Sequence, residues 1–245
     1  MFLVATARDQ QPLTKGGTWA ILAGIAAHVA ALVVTVGAEG FGALFTIQRG
    51  LSVLALMVAA GVVGLRYAWS LASPGAAAAP LAVLLLTVSL VSEPGVEVSQ
   101  QWRGTLLGVH IALALFGTAS FALAAVTGIL YLIQDHNLRQ KKFGPMFSRL
   151  PSVGVLDQTN LRLILIGFPV YTLAIALGGL WAWDHNRTLQ LQYLFAMVSW
   201  LIYAAILQAR LTTGWRGRRA ALLTLVGLVG LVGVLSSYLA RSGAG

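Results

Sequence analysis

Residues 105–133 read TLLGVHIALALFGTASFALAAVTGILYLI, a run of 29 positions without one Asp, Glu, Lys or Arg. A helix rises about 1.5 Å per residue, so this run reaches roughly 44 Å and exceeds the ~30 Å hydrocarbon core of a bilayer. A soluble protein must cover such a stretch with a charged, hydrated exterior. This chain cannot, because 58% of its 245 residues are hydrophobic and only 9% are charged. Soluble domains carry about 25% charged residues. The outer surface must therefore face lipid.

Working outward, six more apolar runs share that character. All seven lie at roughly 18–37, 50–69, 77–92, 105–133, 159–183, 189–209 and 220–240. The third is the shortest and only just reaches across a hydrocarbon core. The fourth is long enough to project into the cytoplasm near residues 134–139. Gly/Pro breaks fall between runs, as in Ser73-Pro74-Gly75, Glu93-Pro94-Gly95 and Gly144-Pro145. The expected fold is all-α: a polytopic membrane bundle of about seven transmembrane helices. It comprises a tail at 1–17, the bundle at 18–240 and a second tail at 241–245. The first tail does not read as a cleaved signal, since Arg8, Asp9 and Lys15 follow a small apolar start.

The net charge is +9. In a soluble chain that excess would suggest a nucleic-acid partner. Here the basic residues sit in short loops between apolar runs, where they set orientation, and no nucleic-acid partner is expected. An inside N-terminus puts Arg8, Lys15, Arg66, Arg139, Lys141, Lys142, Arg149, Arg210, Arg216, Arg218 and Arg219 on the cytoplasmic side. Only Arg49, Arg103, Arg187 and Arg241 then fall outside, a bias of 11 to 4 before Arg162, just inside the cytoplasmic face, is counted. Seven crossings place the C-terminus outside. The basic stretch 141–150 carries apolar residues at 143, 146, 147 and 150, in helical spacing interrupted by Gly144-Pro145. It reads either as a topogenic loop or as a short segment on the inner leaflet.

Several chemistries are excluded. The chain has no cysteine, hence no disulfide, thiolate metal site, CxxCH haem attachment or cysteine nucleophile. A glycine-rich nucleotide loop, HExxH and paired carboxylates within one span are also lacking, so no catalytic residue is assigned and an enzyme is not the expected reading. Small residues within the spans, such as the pair Gly104 and Gly108 and the series Gly227, Gly230 and Gly233, point to close helix packing.

Four histidines remain as candidates: His28, His110, His136 and His185. His28 lies near the middle of the first run, and His110 lies just inside the outer end of the fourth. An ionisable group at membrane depth faces the bundle interior with a partner or ligand. Neutral imidazole is a common axial ligand of haem iron. Two roles are open: each histidine bonds a neighbouring carbonyl or helix, or the two clamp one haem. His136 is expected to be solvent exposed. His185 lies in Trp181-Ala182-Trp183-Asp184-His185-Asn186-Arg187, read as a short outer loop. Trp181 and Trp183 there are either interfacial anchors or an aromatic shelf for a porphyrin.

The order of motifs resembles the cytochrome c assembly family, which includes CcsA, CcmC and HemX-like proteins. The first stretch is His110-x6-Gly117-x3-Phe121, followed by Leu130-Tyr131-Leu132-Ile133-Gln134-Asp135. Then come Leu156-Asp157, Ile166-Gly167-Phe168-Pro169 and Gly178-x-x-Trp181-Ala182. The last is Trp200-x-x-Tyr203, followed by Arg210-x3-Gly214-Trp215-Arg216-Gly217-Arg218-Arg219. The resemblance implies a multi-pass protein of the bacterial inner membrane that handles haem for cytochrome c biogenesis. Haem would be held by His28 and His110, with Trp181, Trp183, Asp184 and His185 at the outer mouth. The partners implied are cytochrome c assembly or other membrane-complex subunits. Two departures, His185-Asn186-Arg187 in place of PKE and Gln208 in place of a histidine, pull the likeness towards the HemX-like branch. That branch implies an alternative: a non-catalytic membrane scaffold or regulator, for example of tetrapyrrole synthesis.

Overall fold

A computed structural model describes residues 11–69, 74–92, 105–141, 144, 150–184 and 190–242. Their regular structure is entirely helical: α1 (Gln11–Glu39), a 3-10 helix (Phe41–Phe45), α2 (Ile47–Trp69), α3 (Pro74–Val91), α4 (Thr105–Arg139), α5 (Val153–Asp184), α6 (Leu191–Thr212) and α7 (Arg218–Ser242). In lipid no water can satisfy an open backbone, so each crossing closes its own hydrogen bonds as a helix. The seven α-helices correspond one to one with the seven apolar runs.

Their ends differ from those of the runs, for a physical reason. An apolar run stops where polar side chains begin, whereas a helix continues as far as its backbone bonds hold. α1 starts at Gln11, inside the expected tail 1–17. α5 starts at Val153 rather than near residue 159, because Asp157 and Asn160 find partners inside the bundle. It also runs on to Asp184. The Trp181-Ala182-Trp183-Asp184 segment is therefore the last turn of a helix and not a loop. The basic stretch after α4 lies outside the described residues except at Lys141, Gly144 and Leu150.

Six helices are long and apolar enough to cross a membrane by length and composition. The remaining one, α3, has 18 residues, about 27 Å of helix. Its packing sets its direction and level. Ser89 near the end of α3 donates through Oγ to Gln48 O at the start of α2 (2.8 Å). At the other end, Ala78 of α3 is fully buried in the same apolar core as Val62 and Leu65 of α2. The two helices thus run antiparallel side by side, and α3 reaches the level from which α2 departs.

The core sits where α4, α5, α6 and α7 meet. Phe121 of α4 stacks on Tyr203 of α6, with ring centroids 3.7 Å apart and planes 6° apart. It also meets Tyr171 of α5 edge-on at 5.5 Å. Both Phe121 and Tyr203 are fully buried. Glycines bring the backbones together, as the series in the last run predicts. A methyl group on Gly227 would lie 2.8 Å from Tyr203, and one on Gly233 would lie 2.7 Å from Phe195. Close approach of this kind replaces the hydrophobic drive that lipid cannot supply. α1 is peripheral, packing chiefly on α2 and the 3-10 helix. Its outer end is tied by Arg49, whose guanidinium donates to both Glu39 oxygens (2.9 and 2.7 Å) and to Ala43 O (3.0 Å).

Candidate functional site

His110 is one and a half turns below the outer end of α4. Its Nδ1–H donates to Ala174 O of α5 at 2.8 Å. A carbonyl only accepts, so Nδ1 carries the proton and Nε2 keeps a free lone pair. A bond of this kind from the other ring nitrogen fixes the tautomer and orientation that a metal-ligating histidine needs. Gly178, one turn after Ala174, makes it possible. A Cβ at Gly178 would lie 2.8 Å from His110 Cε1 and 3.3 Å from Nδ1. The imidazole occupies the space that any larger residue would fill. Phe45 of the 3-10 helix packs over Gly108, two residues from His110, with its ring tip 3.3 Å from where a Cβ would stand.

His28 of α1 takes a different partner. Its Nε2 hydrogen-bonds Ser52 Oγ of α2 at 2.7 Å. Ser52 is five residues into α2, so this bond lies about 8 Å below the start of that helix. His110 is also five residues into its helix. Both imidazoles therefore lie in the half of the bundle where α2 and α4 begin, the half that the charge bias predicts to face outward. His28 borders an apolar cavity of about 210 Å3 lined by small residues such as Gly24, Ala55 and Ala59 and by aliphatic ones such as Ile21, Ile25 and Leu86.

The predicted site residues are thus held separately, His28 against α2 and His110 against α5. Their helices α1 and α4 do not pack along one another. The backbone of Trp181, Trp183 and Asp184 forms the end of α5, the helix that carries Ala174 and Gly178. His185 lies outside the described residues. His136 is exposed at the inner end of α4, as expected. Among the described residues, no group of three or more His, Cys, Asp or Glu could hold a metal ion.

A second polar centre, at the inner side, has no counterpart in the sequence reading. Arg210 of α6 is 8% exposed. Its Nη2 donates to Asp157 Oδ1 (2.8 Å) and Asn160 Oδ1 (3.1 Å). Asn160 Nδ2 donates to Ala124 O of α4 at 2.7 Å. Thr224 of α7 is 3.4 Å from both amide atoms of Asn160. The network thus links α4, α5, α6 and α7. Asp157 and Arg210 both stand in motifs quoted above. The signal that could have found them was their position: a charge of each sign just inside two span ends, with Asn160 one turn deeper.

Comparison with known proteins decides the family. The family described as cytochrome C assembly protein matches residues 2–242, nearly the whole chain. This chain belongs to the cytochrome c assembly protein family. Among its relatives is the cytochrome c biogenesis protein CcsA of Synechococcus sp. (strain JA-2-3B'a(2-13)), 42% identical over 89 residues, which are 33% of this chain and 24% of that protein. Protein HemX of Bacillus subtilis (strain 168) is 32% identical over 143 residues, 57% of this chain and 52% of its own. CcsA of Guillardia theta is 25% identical over 214 residues, covering 76% and 69%. The chain spans about a quarter of the length of the cyanobacterial CcsA it matches.

Proposed function

We propose that this protein is a haem-binding factor of cytochrome c biogenesis in the bacterial inner membrane. It holds haem near the outer side of the bundle and offers it to an assembly partner. The observation that carries the proposal is the state of His110: Nδ1–H bonded to Ala174 O, Nε2 left with its lone pair, and the ring seated on Gly178. A histidine serving only to satisfy itself does not need a glycine cut out beneath it. Haem would supply a planar apolar macrocycle with an iron that takes imidazole nitrogen. His110, with Nε2 free, would be one residue to hold it. His28 would be the second after its Nε2 leaves Ser52. The thin packing of α1 permits that adjustment. Trp181, Trp183, Asp184 and His185 stand at the outer mouth in this proposal. The test is the visible spectrum of the protein purified in detergent after haem is supplied. The wild type is expected to show a low-spin Soret band, His110→Ala to lose it and His28→Ala to weaken it. Identical featureless spectra for all three would sink the proposal.

A second reading is favoured by one finding. Over more than half of this chain HemX is 32% identical, a higher identity than the 25% of the longer CcsA match from Guillardia theta. On that reading the protein is a non-catalytic membrane scaffold or regulator. Affinity capture from solubilised membranes distinguishes the two: a stoichiometric partner without haem supports the scaffold.

A further inference from the structure

The turn joining α6 to α7 forms a basic bowl at the inner face, at the opposite end of the bundle from His28 and His110. A cavity of about 460 Å3 is lined there by Arg139, Arg216, Arg218 and Arg219, together with Tyr131 and Trp215. Four guanidinium groups share one hollow, and no carboxylate lines it. The two nearest acids are already engaged. Asp135 accepts from Arg139 at 2.9 Å, and Asp157 accepts from Arg210 and from the Gly217 N–H. Arg219 lies over the Trp215 ring at 5.6 Å. Arg216 and Arg218 have neither a hydrogen bond nor an ion pair among the described residues, and both are exposed.

The bowl is a built feature. Trp215 N–H returns to Ala209 O (3.2 Å), and Gly217 N–H is pinned to Asp157 Oδ1 (2.9 Å). Gly217 has φ +72°, and a Cβ there would lie 2.6 Å from the Tyr131 hydroxyl. The turn is therefore held to α5 by the same Asp157 that Arg210 clamps, and it is pressed against α4. A loop that only marks orientation needs positive charge but no fixed shape. Here like charges are gathered by a rigid turn, an arrangement whose repulsion an anion would relieve. Arginine forks match phosphate oxygens in bidentate geometry. Basic pockets between helices at the cytoplasmic interface suit lipid headgroups.

We propose that this turn binds the phosphate of an anionic lipid headgroup from the cytoplasmic leaflet, with Arg216 and Arg218 as its principal ligands. The inner ends of α4, α6 and α7 put the bowl at headgroup level, so the phosphate is delivered by the bilayer itself. Arg139 and Arg219 reinforce the field, and Trp215 lies against the interface.

The whole protein in an uncharged detergent is titrated with short-chain phosphatidylglycerol and followed by native mass spectrometry. The wild type is expected to bind it in preference to phosphatidylcholine. Arg216→Gln/Arg218→Gln should weaken binding roughly 25-fold, two independent contributions of the size expected for a basic residue near an anionic surface. Arg216→Lys/Arg218→Lys should lose less, keeping charge without the fork. Lys141→Gln, an exposed inner-face charge outside the bowl, should change nothing. Equal binding by the glutamine pair, or an equal loss in Lys141→Gln, overturns the proposal. So does displacement of the lipid by inorganic phosphate, which would make the ligand a free anion. If the glutamine pair does not elute like the wild type, the single Arg218→Gln variant carries the comparison.

Discussion

Gly178 is the residue on which the outer site turns. An added methyl there would meet His110 Cε1 at 2.8 Å, and overpacking of this kind costs about 1–3 kcal/mol. Gly178→Ala should therefore leave the protein folded, with a modestly lower Tm, yet push the imidazole off Ala174 O. The measurement is the haem spectrum beside the melting curve: haem binding should fall as it does in His110→Ala. A variant that binds haem as the wild type does would show that the seat is immaterial. Arg210 decides the inner site in the opposite way. Its removal strands Asp157, whose side chain is 16% exposed, and leaves Asn160 one bond short. Breaking a buried pair from one side costs about 3–5 kcal/mol. Arg210→Ala should melt far below Arg216→Gln in detergent, although each removes one positive charge. Equal melting temperatures would count against the network. The sequence marked His110 by its depth and chemistry. It could not show that Ala174, 64 positions away, takes the Nδ1 proton. It quoted Asp157 and Arg210 without pairing them, because their partnership exists only across α5 and α6.

Between elements, α6 and α7 meet through small residues. A Cβ at Gly230 would run into Ser199 Oγ, while Ser199 Cβ would stand at 3.4 Å and Phe195 O at 3.5 Å, both ordinary contacts. The clash is thus with one hydroxyl. Gly230→Ala should destabilise the pair of helices by about 1–3 kcal/mol. Adding Ser199→Ala should recover most of that loss, so the two changes should be strongly non-additive. Melting of the two single variants and the double variant checks this, and additive losses would place the clash elsewhere. The close helix packing was legible in the spacing of Gly227, Gly230 and Gly233. The partner helix was not, since glycines show that a neighbour comes near and not which one it is.

At the scale of the whole molecule, the antiparallel run of α3 beside α2 predicts seven crossings, and the basic residues predict their orientation. The absence of native cysteine makes this testable with single introduced thiols. A membrane-impermeant maleimide should label Phe41→Cys in intact cells. It should reach Gly144→Cys and Thr213→Cys only after lysis. The reverse pattern would invert the bundle and move the His110 pocket to the inner side. Six crossings instead of seven would put positions 144 and 41 on the same side.

By itself the sequence determined that the chain suits a bilayer, how many helices it forms, which orientation the charge bias predicts and which family motifs they carry. These follow from local quantities: apolar length against bilayer thickness, charge beside each span, and residue order. Helix ends were less legible, because Asp157 and Asn160 look like a boundary until their partners on α6 and α4 are known. Only the tertiary structure decided that Trp181 and Trp183 close a helix, and that His28 and His110 rest on different neighbours. The same holds for the setting of His110 by Ala174 and Gly178, and for four arginines sharing one hollow. Each of these depends on which helix lies beside which. In lipid that choice is made by shape and a few hydrogen bonds between distant residues, and apolar patterning does not encode it.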